Sequence, residues 1–168
     1  DSKIASARLH IKAELSLPEF VKAAVAYVIA ACKIGDNVQS ASGHYAQLAA
    51  SGDYAQLAAS GDYAQLAASG DYAKLAASGH SAKLAASGHY AKLAASGDYA
   101  QLAASGKDSI IASSSYNATA KGAAGTWISL AEFNREGKCI GFATGCIGQD
   151  GLLPDTYYRA QGGKLVQS

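Results

Sequence analysis

A nine-residue unit, Gly-Asp-Tyr-Ala-Gln-Leu-Ala-Ala-Ser, recurs almost unchanged from Gly43 to Ser105. Its glycines stand at 43, 52, 61, 70, 79, 88, 97 and 106, and a worn copy, Gly-Lys-Asp-Ser-Ile-Ile-Ala-Ser-Ser, ends the run at Ser114. A short fixed period confines a chain to a quasi-one-dimensional stack in which each unit covers the next. Alanine, glycine and serine fill most of the unit, so any interior it encloses must be thin.

Two architectures compete for this unit. Alanine, leucine, glutamine and lysine favour helix, and Ser-Gly-Asp can cap one helix and start another. A helix between successive glycines has only about two turns, however, and is marginal without deep packing. In a β-solenoid each unit instead supplies one short strand, and the Ser-Gly-Asp triplet turns the corner. Alternation then sends Ala55, Leu57 and Ala59 inward, and Tyr54, Gln56 and Ala58 outward. The expected fold class is therefore mainly β, a solenoid of nine-residue repeats, with a solenoid of short α-helices as the alternative.

A coil of one nine-residue repeat could hardly enclose a leucine, and charge gives mild support to two repeats per coil. The position after each glycine reads His44, Asp53, Asp62, Asp71, His80, His89, Asp98 and Lys107. Stacking every nine residues places three aspartates in a row, which repulsion disfavours. Two repeats per coil give the ladders His44-Asp62-His80-Asp98 and Asp53-Asp71-His89-Lys107, and let Leu57 face Leu66 across a narrow interior. Four such coils make a rod about 20 Å long.

The outward tyrosines are the expected interaction face. Tyr45, Tyr63 and Tyr99, interrupted by Ser81, line one side, and Tyr54, Tyr72 and Tyr90 the other. Beside them run Gln56, Lys74 and Lys92 on one face and Lys83, among glutamines, on the other. Exposed strips of this kind mark contact surfaces. Equally, stacked rings stabilise neighbouring coils.

Ahead of the repeat, Ala7, Leu9, Ile11, Ala13 and Leu15 alternate with polar residues, which predicts a strand over 6–15. Ser16-Leu17-Pro18-Glu19 has the form of a capping box, and a helix over 17–33 follows, stopped near Gly35. Glu19, Lys22 and Lys33 leave too short an apolar run for a membrane span. Residues 1–42 thus read as a strand-helix cap, 43–114 as the solenoid and 115–125 as a small-residue linker. Residues 126–168 read as a β-meander cap, with Trp127, Phe133, Phe142, Tyr157 and Tyr158 as its core.

The tandem SGDYAQLAAS pattern resembles the nonapeptide-repeat proteins of anaerobic bacteria and their phages. In these a run of Gly-Asp-Tyr repeats ends in a short non-repetitive domain. The tail from Thr126-Trp127-Ile128-Ser129-Leu130-Ala131-Glu132 through Asp155-Thr156-Tyr157-Tyr158 to Gly163-Lys164-Leu165-Val166 is similar to that domain. The resemblance covers residues 43–168 and implies an architecture without catalytic residues.

Little else carries chemistry. No Ser/His/Asp or Cys/His signature is present, His80 and His89 read as solvated replacements of aspartate, and one glycine per repeat is too few for a calcium roll. No cofactor or metal is expected. Cys32, Cys139 and Cys146 are too scattered for a disulfide framework, and Cys139 and Cys146 read as buried small hydrophobes that a fold-back would be needed to pair. A reducing compartment follows, the cytoplasm of a bacterium or phage-infected cell, with secretion left open because the chain, lacking methionine, reads as trimmed. The formal net charge of +1 offers no pull toward nucleic acid or acidic lipid. The functional expectation is a non-enzymatic scaffold that joins a protein partner or a second copy, most simply as a dimer. The alternatives are binding of a regular surface (ice or polysaccharide) by the flat face, and a phage-borne inhibitor of a host protein.

Overall fold

The computed structural model describes residues 38–168. The strand and helix expected before Gly43 lie outside the described residues. From Val38 onward the chain is a two-sided β-solenoid of about five turns, and the described residues contain no helix. The strands are β1 (Val38–Ala41), β2 (Gln47–Ala50), β3 (Gln56–Ala59), β4 (Gln65–Ala68), β5 (Lys74–Ala77), β6 (Lys83–Ala86) and β7 (Lys92–Ala95). They continue as β8 (Gln101–Ala104), β9 (Ile110–Ser113), β10 (Thr119–Gly122) and β11 (Trp127–Phe133), then β12 (Cys139–Cys146), β13 (Tyr158–Gln161) and β14 (Lys164–Gln167).

Odd-numbered strands form one sheet, in the order β1-β3-β5-β7-β9-β11-β12, and the other sheet runs β14-β13-β10-β8-β6-β4-β2. Within the repeat every pairing is parallel and shifted by one coil, so Leu57 lies beside Leu75 and Leu75 beside Leu93. One coil is therefore two repeats. Six intervals of about 4.8 Å make the first sheet roughly 29 Å long, more than the repeat count alone predicts.

The inward set is Ala-Leu-Ala, as alternation demands. Ala55, Leu57 and Ala59 are 0%, 2% and 6% exposed, and the leucines of both sheets join a single core cluster. Each buried leucine contributes about 2 kcal/mol. Small alanines on either side let the two sheets approach closely.

The glycines serve this stacking rather than an unusual dihedral. A Cβ on Gly79 would lie 2.0 Å from the carbonyl oxygen of Gly61 in the previous coil, and one on Gly97 only 2.1 Å from that of Gly79. None of the repeat glycines has positive φ; that conformation falls on the tyrosines instead, at φ 55–59°.

Several expectations need correction. The solenoid begins ahead of Gly43, because β1 already pairs in parallel with β3. Residues 115–125 are not a linker: β10 lies within them and pairs in parallel with β8, so the solenoid runs on past the last recognisable repeat. The four C-terminal strands do not form one meander either. β12 turns back on β11 to close one sheet, while β13 pairs antiparallel with β10 and β14 with β13 to close the other. Nor is the expected aromatic core there, since Trp127 is 52% exposed and Phe142 56%. Ile128, Leu130, Ala143, Ile147 and Tyr158 fill that interior, and the Tyr158 hydroxyl accepts from the Leu153 amide at 2.6 Å. Cys146 is buried as expected. Cys139 is exposed, at the opposite end of β12, and both are free thiols.

Candidate functional site

Each repeat strand is only four residues long, and this decides where the tyrosines go. They sit before the strands, at the corners, so they line the two edges of the solenoid and not its flat faces. Tyr45, Tyr63 and Tyr99 run along the edge that leads into β2, β4 and β8. Tyr54, Tyr72 and Tyr90 run along the opposite edge, leading into β3, β5 and β7.

A left-handed backbone is unfavourable for a bulky side chain by about 1 kcal/mol or more. Here two contacts hold it. Each tyrosine amide donates to a carbonyl of the next coil, Tyr54 to Asp71 and Tyr72 to His89, both at 2.8 Å. Each ring also stacks on its neighbour: Tyr54 on Tyr72 and Tyr72 on Tyr90, with centroids 5.1 Å apart and planes within 15°. Where the stack ends, Asp108 and Asn117 take the same conformation, as residues suited to it.

The gap expected at Ser81 is closed. The His80 imidazole swings into it, 6.1 Å from the Tyr63 ring and 5.2 Å from Tyr99, while its Nδ1 lies 2.8 Å from Ser81 Oγ. Sequence reasoning missed the continuation of this edge, in which Tyr99 meets Tyr116 at 5.9 Å and Tyr116 meets Phe133 at 5.5 Å. The eighteen-residue spacing from Asp98 to Tyr116 was the available signal.

Behind the rings runs a second ladder. Oδ1 of Asp53 accepts the amide of Asp71, and Oδ1 of Asp62 that of His80, each at 2.9 Å. Where histidine replaces aspartate, His89 Nδ1 accepts from the Lys107 amide at 3.0 Å, which fixes the tautomer with its proton on Nε2.

Gln56, Lys74 and Lys92 stand in register along the outer face of the first sheet, and Lys83 stands between Gln65 and Gln101 on the second. Each edge therefore combines a tyrosine row with the glutamine and lysine row that follows it. Despite stacking, Tyr63, Tyr72, Tyr90 and Tyr99 remain 44–48% exposed, so these rings still present an outer edge to solvent. Among the described residues no three His, Cys, Asp or Glu side chains converge to hold a metal. Comparison with family models, with curated proteins and with solved structures finds no match to this chain.

Proposed function

We propose that this chain is a non-enzymatic repeat scaffold whose tyrosine edges bind a protein partner, a second copy of the chain included. The observation that carries the reading is the double use of each ring. The ring faces stack on those of neighbouring coils while the outer edge stays exposed. Tyrosine presented this way offers large amphipathic contact area at little conformational cost, the property that enriches it in interfaces. The adjoining Gln56, Lys74 and Lys92, or Lys83 on the other face, supply hydrogen bonds at the rim. The likeness to bacterial and phage nonapeptide-repeat proteins is part of the same proposal.

The fold itself supplies a mild test variant. Ser81 already holds the left-handed corner conformation at φ 55°, so serine is accepted there. Replacing Tyr54, Tyr72 and Tyr90 with serine should leave the β-type circular dichroism spectrum in place and abolish self-association in sedimentation velocity. An unchanged sedimentation coefficient would sink the reading.

A further inference from the structure

The outer face of the first sheet departs from the repeat at both ends. Its leading outward row reads Val38, Gln56, Lys74, Lys92 and Ile110, and Trp127 follows Ile110 in register, so two lysines lie between apolar ends. Ile110 and Trp127 are about half exposed, although inward positions for large side chains lie next door and are filled by Ile111 and Ile128. Phe142, also exposed, stands across the face beside Ser114. Between these rows runs a straight groove floored by alanine methyls from Ala58 to Ala112 and walled on the far side by serines from Ser60 to Ser114.

The charges on this face are one-sided. Lys74 and Lys92 are directly opposed on neighbouring strands, and such like pairs repel. From β1 to β9 no strand of this sheet carries a carboxylate. A second copy laid face to face would set lysine against lysine. An anionic occupant removes the conflict.

We infer that this groove binds a linear acidic polysaccharide lying along the solenoid axis. Trp127 and Phe142 offer stacking surfaces for sugar rings, serine and glutamine side chains pair with hydroxyls, and Lys74 and Lys92 take the carboxylates. An acidic peptide fits less well. The sheet's backbone groups are already paired from coil to coil, so a peptide crossing the strands gains no main-chain hydrogen bonds from them. Nucleic acid fits less well again, because its dense phosphates require more cations than the two lysines here.

Trp127 is the chain's only tryptophan and reports on the groove directly. Titration of the full chain with oligogalacturonate should give a saturable change in its fluorescence, and a gel cast with polygalacturonate should retard the protein. The fully methyl-esterified oligomer, which keeps the sugars and loses the charge, should bind far more weakly. The Lys74→Gln/Lys92→Gln variant restores the repeat's own glutamine, so it folds, and should weaken binding about tenfold. No fluorescence change together with no retardation overturns the inference, as does equal binding by the lysine variant. Tighter binding of oligothymidylate or polyglutamate than of oligogalacturonate overturns it in favour of nucleic acid or an acidic peptide.

Discussion

The amide of His89 donates to Oδ1 of Asp71, 2.7 Å away and one full coil earlier in the chain. Aspartate at the corner is thus an acceptor that ties successive coils together where the strands have ended. Replacing Asp71 with alanine should lower stability by about 1 kcal/mol, and asparagine, which keeps an acceptor, by less than half of that. Urea unfolding followed by far-ultraviolet circular dichroism measures the difference. Equal losses for the two variants would show that charge, and not the hydrogen bond, is what matters.

Close stacking at the glycines leads to a sharper contrast. Gly79→Ala drives a methyl group into the backbone of Gly61, where no side chain can move aside, and should destabilise by on the order of 3 kcal/mol. Gly43→Ala meets nothing within 4 Å and should stay within about 0.5 kcal/mol of the parent. Thermal melts of the pair are sufficient, and similar midpoints would contradict the stacking explanation.

His80 and Ser81 act as one substitution. Ser81→Tyr alone puts a phenol where the imidazole already bridges Tyr63 and Tyr99, so it should gain little. Changing His80→Asp alone opens the ladder. The double change restores the repeat and should exceed the sum of the single effects by about 0.5–1.5 kcal/mol, the worth of an aromatic pair. A double-mutant cycle that sums without a coupling term would rule this out.

At the far end, Glu132 of β11 holds the turn between β13 and β14. Its two carboxylate oxygens accept from the amides of Gly162 and Gly163 at 2.6 and 2.7 Å. Glu132→Ala should destabilise by about 1–2 kcal/mol, a charge-assisted value reduced for partial exposure. Hydrogen exchange at Gly162 and Gly163 should accelerate in this variant while the exchange of Leu75 and Leu84 hardly changes. Protection at the glycines that survives the mutation would argue against the latch.

The coil length and the inward Ala-Leu-Ala were legible in the sequence because strand alternation and ladder charges both act between residues at fixed spacing. Tyr54 was legible as outward but not as a corner residue. Nothing in a bulky aromatic announces a left-handed backbone, and only coil-to-coil bonds stabilise it there. For the same reason Gly79 looked like a turn glycine, when its task is to admit the backbone of Gly61. Beyond Ser114 the composition drifts while the spacing persists: Leu102 lies beside Ala120, and Ile111 beside Ile128 at a shift shorter by one residue. A reading based on residue identity therefore stops before the coils do. The exposed Trp127 ran against the ordinary assumption that a tryptophan belongs inside.

Because one coil holds two repeats, half a turn of the solenoid carries Tyr54 onto Tyr63 and Gln56 onto Gln65. The rod is therefore very nearly two copies of a single edge, back to back, and has a valence of two for whatever recognises that edge. Two equivalent edges on one rod allow ribbons, since every docked copy offers a fresh edge to the next. Ser81 is the one break in the corner tyrosines between Tyr45 and Tyr99, and it falls on one edge alone. If the proposed self-association uses the regular edge of Tyr54, Tyr72 and Tyr90 alone, it would close on itself at two copies, whereas use of both edges would give a fibre.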